Sequence, residues 1–574
     1  MIRKVVAGVS LIFLCLSFSF AAAAPKPSLV LITLDSARSD RMGFLGAKGA
    51  HTPNLDHLAG ESIVFEHAYA QAPGSVVSHA TILSGAYPQS TGMSEIGGML
   101  PPSLPYLPDL LKTQGYRTAA FVGSIELDPV NGLAQGLERG FQTYDAGFWP
   151  AIPGDARSPI TERRGDQVVA RAIAWLDHNA QQQFFLWVHI ADELEPRASY
   201  NSAITTADAD IGKLISALQQ RKIYENTALI VVADHGESLG AHGEDVHGIF
   251  LYDETIHVPL LMKLPQTQPA ARPTATRVAA KVRLVDIAPT MLEIAAIPVP
   301  SQMLGQSLLR IAKASGGSDQ PVYSRADLPQ RGFGWSRLES WRAGKYLYIR
   351  APKPELYDLT ADPGSAHNLA QSSKATLDTM AAQLDGFDRN YDRRFSGEAG
   401  KSSAELSSSE MQKLASLGYV GLQKSSASAT AVSGTDPKDK IAIANKVIAA
   451  ATRDWSKPEL AIAALDPVVS ADPNLYLAQY TLGAALARKG QYAEAVKHLH
   501  KAIELQPDSV WANYEIGACL LKSGDYKTAI VHLEIAAGRL PAFAPAHLSL
   551  AEAYEHTGRT EDAKRERARA PKNP

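Results

Sequence analysis

The sequence predicts an α/β protein: a parallel β-sheet covered on both faces, then a smaller antiparallel subdomain, then an all-α solenoid. Three observations carry this. Between Ser28 and about Pro265 the apolar runs LVLIT, TAAFV, FFLWV and ALIVV alternate with helical segments such as ADADIGKLISALQQ. Strand–helix alternation with strands apolar on both faces is the pattern of a buried parallel sheet. From about Pro300 to Phe395 the pattern changes, and WRAGKYLYIR and ELYDL read as antiparallel strands. Beyond Asp436 the chain repeats every 34 residues: Pro473, Pro507 and Pro541 share one phase, Gly483 and Gly517 another.

The 574 residues exceed one ordinary domain. In order, the first unit is residues 1–24. Arg3 and Lys4 precede an apolar run from Val5 to Phe20, and the small residues Ala21 to Ala24 follow. This is the pattern of a secretory signal peptide cleaved near Ala24, with a run short for a membrane span. The expected protein is exported, periplasmic or secreted, with no transmembrane span after cleavage. Cys15 leaves with the signal, so Cys519 has no intrachain partner. The α/β core is expected over 25–299, the antiparallel subdomain over 300–395, and a Ser/Ala/Gly-rich linker over 396–435 with one short helix at Ser409–Leu417. Residues 436–574 form about four repeats. Ala461, Ala495, Ala529 and Ala563, with Leu465, Leu499 and Leu533, keep the same period, which is the tetratricopeptide pattern. Such arrays present a concave surface to a protein or peptide partner. A formal charge of −3 gives no electrostatic case for nucleic acid.

In a sheet of this kind ligands gather beyond the carboxyl ends of the strands. Asp35 closes LVLITLD there, and Asp234-His235 closes ALIVVADH; Ser124, His189 and Asp192 stand at other strand ends. A carboxylate beside an imidazole suits a divalent metal. Between these segments lies AQAPGSVVSHATILSG, where Pro73-Gly74 breaks the chain and Ser75 opens a helix. A hydroxyl there sits in positive potential, where its alkoxide forms more easily. A serine in that place is also a common N-cap. His189 suits a core histidine as well as a catalytic one, and His79 suits a local cap. Ser36 and Asp40 suit turn caps. His242 reads as a surface histidine, and Asp192, Glu193 and Glu195 as a solvated acidic loop.

The order LVLITLDSARSDRMGFLG, TPNLDHLAGESIVFEHAYAQAPGSVVSHATILSGAYPQSTG, VVADHGESLGAHGEDVHGIFLYDETIHVPLLM, then LVDIAPTMLEIAAIP and ELYDLTADPGSAHNLA, resembles the sulfatase family of the alkaline-phosphatase superfamily over roughly Ser28 to Ala370. With the repeats, the chain is similar to bacterial sulfatase-like proteins that carry a tetratricopeptide tail. The resemblance implies an alkaline-phosphatase-like fold and a metal held by Asp35, Ser75, Asp234 and His235. That metal is calcium by family, or zinc in a tighter site. It implies that Ser75 is the nucleophile against a sulfate or phosphate ester, with His79, His189 and His247 catalytic. His79 falls where sulfatases place the Arg of C/S-x-P-S-R, and His247 near a Lys that contacts sulfate. The chain departs from the family in three places. Ser75-Val76-Val77-Ser78-His79 lacks the Pro and Arg that go with conversion to formylglycine. VGSIELD stands where the family has a Lys/His pair, and Leu194 stands for a substrate-facing His. An unmodified hydroxyl is therefore expected, with formylglycine as the alternative. Two further readings stay open: a non-catalytic sulfatase-fold protein working through its repeats, and a phosphoryl-group transferase.

Overall fold

A computed structural model describes residues 26–130, 133–148, 163–191, 200–266, 276–314, 319–395, 407–417, 434–452 and 456–570. The expected signal segment, Asp192 to Arg197 and most of the expected linker lie outside the described residues.

Fourteen strands are described: β1 Ser28–Leu34, β2 Ile63–Tyr69, β3 Gly98–Met99, β4 Arg117–Phe121, β5 Ala134–Gln135, β6 Thr143–Asp145, β7 Phe184–Ile190, β8 Thr227–Ala233, β9 His257–Lys263, β10 Thr276–Arg283, β11 Val322–Ala326, β12 Leu338–Ala343, β13 Tyr346–Arg350 and β14 Glu355–Asp358. Eight form one sheet in the order β10-β2-β9-β8-β1-β7-β4-β6. Every residue of β1, β7 and β8 is buried, because helices cover both faces and leave those strands no solvent side. β1 lies between β7 and β8, parallel to both, with Thr33 opposite His189 and Leu34 opposite Ala233. This register brings the ends of three strands to one place.

The sheet is mixed rather than wholly parallel, since β9 runs antiparallel to both β8 and β2. The chain turns back after β8 through the loop that begins at Asp234, so the reversal itself folds that loop over the strand ends. The antiparallel subdomain is a four-stranded sheet, β11-β12-β13-β14, as the sequence predicts. The helix Lys374–Phe395 packs on it, and Tyr323, Trp341, Tyr348 and Leu384 share its core.

The repeats are four helix pairs: Ile441–Ala451 with Pro458–Ala471, Tyr476–Arg488 with Tyr492–Leu505, Val510–Lys522 with Tyr526–Arg539, and Ala544–His556 with Thr560–Arg569. Small residues set the crossings. A Cβ on Gly483 would lie 2.6 Å from Leu499 Cγ, and one on Gly517 2.6 Å from Leu533 Cγ. The short linker helix is present at Ser408–Ser416 and docks on the third pair through Arg539 and Glu410, 2.9 Å apart. The array packs on the α/β core rather than hanging free. One continuous apolar cluster runs from β1 through Leu482 and Leu499 to Cys519. Arg331 reaches Asp508 at 3.0 Å. Asn445 accepts from the Asp245 N–H at 3.1 Å and donates to the Gly243 carbonyl at 2.8 Å. Among the described residues no helix is long and apolar enough to cross a membrane.

Candidate metal and nucleophile site

Asp35 and Asp234 are the first residues beyond β1 and β8, and the sheet's own hydrogen bonding fixes both. The Asp35 N–H donates to the Ile190 carbonyl at 3.0 Å, and the Asp234 N–H to the Leu34 carbonyl at 3.2 Å. Ser36 turns the chain away with a left-handed φ of 54° and donates its N–H to Asp234 Oδ1 at 3.2 Å. Ser75 is the first residue of the helix Ser75–Ser84; Gly74 holds the cap position, so Ser75 is not the N-cap. Its hydroxyl lies 3.0 Å from His235 Nε2. His235 Nδ1 is 2.8 Å from the Gly236 carbonyl, which keeps the proton on Nδ1 and leaves Nε2 as an acceptor for Ser75. His235 Nε2 also stands 3.6 Å from both Asp35 Oδ1 and Asp234 Oδ2.

The four residues expected around a metal are thus adjacent. Ligand atoms of Asp35, Asp234 and His235 all lie within 4.8 Å of one another. Asp234 is fully buried, and its Oδ2 has no hydrogen-bond partner. Burial, with the Asp35 charge beside it, raises the Asp234 carboxyl well above its ordinary value. Two crowded carboxylates, an imidazole and an orphaned buried oxygen fit a divalent cation, which would supply the missing positive charge.

A second cluster, His79, His189 and Asp234, is equally compact. Its hydrogen bonds argue against a metal there. Trp187 Nε1–H donates to Thr33 Oγ1 at 2.9 Å, and Thr33 sits 3.0 Å from His79 Nε2. His79 Nε2 accepts the Thr33 proton, so His79 Nδ1–H donates to the Ser75 carbonyl at 2.8 Å. Both ring nitrogens are thus engaged, Nδ1 with the first turn of the Ser75 helix and Nε2 with Thr33 on β1. Burial lowers the His79 pKa well below the usual range, consistent with a neutral ring.

His189 is fully buried on β7. The Gly123 N–H meets its Nδ1 at 3.4 Å, and its unpartnered Nε2 faces Asp35 Oδ2 at 3.6 Å. Burial lowers it to about 4, so it stays neutral. His247 behaves oppositely. Burial works against its charge, but Glu237, 3.1 Å away, outweighs that and raises it to about 10. Its ring is 4.3 Å from that of His235. His247 is therefore a positively charged, half-buried group beside His235. His242 is outside this group, stacked on Tyr252 at 3.7 Å.

Sequence reasoning assigned no role to Thr33 or Glu237. Glu237 stands in the Asp234-His235-Gly236-Glu237 run, so its place beside a metal-type pair was the available signal. Thr33 looks like any β1 residue, and its role depends on a neighbouring strand.

Residues 27–297 match the sulfatase model, and 244–388 match the C-terminal model of N-sulphoglucosamine sulphohydrolase. Tetratricopeptide-repeat models match 483–524 and 520–573. An ulvan-active sulfatase of Formosa agariphila is 26% identical over 418 residues, 63% of this chain and 80% of that one. The N-acetylgalactosamine-6-sulfatase of Canis lupus familiaris is 24% identical over 63% of this chain and 85% of its own. Arylsulfatase K of Rattus norvegicus is 32% identical, over 33% of this chain and 34% of its own. Among solved structures, the phosphonate monoester hydrolase of Agrobacterium radiobacter superposes with a TM-score of 0.53 at 18% identity, covering 64% of this chain and 96% of that one. A 2-O GAG sulfatase, BT1596, gives 0.52 at 19% identity, over 65% and 93%. These two structures share the fold. Residues 27–388 of this chain belong to the sulfatase family, and residues 483–573 are tetratricopeptide repeats.

Proposed function

We propose that the protein is an exported hydrolase of sulfate esters that uses the Ser75 hydroxyl as its nucleophile and a divalent cation held by Asp35, Asp234, His235 and Ser75. The observation that carries this reading is the Ser75 hydroxyl 3.0 Å from His235, which belongs with Asp35 and Asp234 to a cluster whose ligand atoms lie within 4.8 Å of one another. The bound cation would neutralise the carboxylates and favour the serine alkoxide. Calcium suits the oxygen-rich set, and zinc suits the imidazole.

With the cation held by Asp35, Asp234, His235 and Ser75, the Ser75 hydroxyl would lose its proton to solvent water, and Oγ would attack sulfur. The Oγ–S bond forms, and the S–O bond to the alcohol breaks. His247, held charged by Glu237, would protonate the departing alkoxide, and neutral His189 would hydrogen-bond the transferred group. Water then cleaves the Oγ–S bond and regenerates the hydroxyl. His79 acts through Ser75 by fixing the start of its helix. Export rests on the Arg3-to-Ala24 pattern, and the repeats are read as a protein- or peptide-binding surface.

A phosphodiester or phosphonate substrate is the second reading. It is favoured by Val77 and His79, which stand where the formylglycine motif has Pro and Arg. Mature protein loaded with calcium or zinc is assayed on an aryl sulfate, an aryl phosphate and a bis-aryl phosphodiester. Sulfate turnover is expected to dominate, while phosphodiester turnover alone selects the second reading. No turnover despite metal binding would leave a non-catalytic protein. The intact mass of the Ser75 peptide is expected to be that of plain serine.

A further inference from the structure

His247, the proposed acid, sits on a loop that the repeat array reaches through a buried chain of side chains. The Ser238 N–H closes that loop by donating to the Val246 carbonyl at 2.8 Å, one residue before His247. Tyr252, at the loop's far end, is buried. Its ring lies against His242 of the loop, 3.7 Å between centroids and tilted by 18°. Its hydroxyl donates to Glu355 Oε2 at 2.6 Å. Glu355 opens β14 in the antiparallel subdomain and is itself buried. The Tyr357 hydroxyl donates to the same oxygen, and Lys438 Nζ donates to Oε1 at 2.6 Å. Lys438 belongs to the turn Pro437–Lys440, which leads directly into the first repeat helix. Its Nζ also donates to the Lys353 carbonyl at 3.0 Å and stands 3.2 Å from Asp436 Oδ2.

A buried carboxylate with both oxygens engaged makes a rigid joint, because leaving a partner unpaired there is costly. This joint ties together the loop, the antiparallel sheet and the base of the array. On the loop, His242 has a φ of 53°, uncommon for a residue with a side chain, and such a backbone persists only where its surroundings fix it. The Tyr252 stack is one such contact. Asn445, on the first repeat helix, adds another by bonding Gly243 and Asp245 just beyond. We infer that Lys438, Glu355 and Tyr252 form a strut through which the base of the repeat array positions His247 to protonate the leaving group. This rests on the hydrolase reading and extends it, since the array becomes part of the catalytic assembly as well as a binding surface. Lys438 and Glu355 are positioning residues that act through Tyr252 and His242. A positioned proton donor matters most when the departing oxygen is strongly basic. Loosening the strut therefore harms esters of poor leaving groups more than esters of good ones.

The test compares the native protein, Lys438→Met and Tyr252→Phe, all mature and metal-loaded, on phenyl sulfate and nitrophenyl sulfate. Tyr252→Phe keeps the ring over His242 and loses only the bond to Glu355. Hydrogen exchange of residues 238–250 is followed in the same proteins. Both variants are expected to lose at least about fivefold more kcat/KM on phenyl sulfate than on nitrophenyl sulfate, with faster exchange in the loop. Equal losses on the two esters, or no loss, overturn the inference, whatever happens to Tm. Unchanged loop exchange in both variants overturns it equally. A native protein that binds metal but turns over neither ester overturns the hydrolase reading instead. Loop exchange then decides by itself whether the strut exists, so the two failures are distinguishable.

Discussion

The site and the repeat array use close approach for opposite ends. In the repeats, Gly483 and Gly517 admit leucine side chains, and Ala495 and Ala529 at the same crossings are fully buried. At these glycine crossings the closest approach is to an apolar leucine side chain, and such packing adds to stability. At the strand ends, Gly74 admits the Glu95 carboxyl group, and Asp35 and Asp234 crowd together, with Asp234 Oδ2 left unpaired. Those contacts cost stability in the isolated chain and are repaid only by a bound cation or substrate. Removing groups from the site should therefore cost activity, whereas filling space in the array should cost stability.

The largest expected effect is at Ser75. Ser75→Ala should lower kcat/KM by about 10⁴-fold or more while Tm stays within a degree or so. A large Tm loss would make Ser75 a structural residue and erase the contrast. Next comes Gly517→Leu, which drives a side chain into Leu533. It should destabilise the protein by about 1–3 kcal/mol in denaturant unfolding, with kcat near native below the transition.

Asn445→Ala tests the seam between the regions. It removes both hydrogen bonds from the array to the Gly243–Asp245 turn, on the loop that carries His247. A loss of about 1 kcal/mol is expected, together with a KM raised more than kcat is lowered. An unchanged KM would mean that the array does not steady the loop. The smallest effect is at the linker helix. Arg539 first, and then the Ser407 cap, lower Glu410 to about 2. A carboxylate lowered on folding adds stability above its unfolded value, near 4.5 here, and that stability is lost as pH falls through about 2. Glu410→Gln should thus lower Tm slightly at pH 7, with the difference from the native protein vanishing by about pH 2.

What the sequence made legible follows the same division. A fixed period of 34 exposes the array, because every repeat restates the same packing. Asp35 and Asp234-His235 are legible because polar ligands right after an apolar run stand out. The direction of β9 was not, since HVPLLMK is buried over six of its seven residues and an apolar run carries no sign of strand direction. Glu95 was not legible either. It lies in an aperiodic turn and meets Gly74 only through tertiary folding. Thr33 acquires its role from Trp187 and His79, both distant in sequence.

The central claim, that strand ends gather a cation against Ser75, is tested most directly by titrating calcium and zinc into metal-free protein and into Asp234→Asn. The native chain is expected to bind one ion tightly and to gain several degrees of Tm from it. Asp234→Asn, folded by circular dichroism, should bind at least about a hundredfold more weakly. Binding that is absent from the native chain, or equal in the two proteins, would contradict the account.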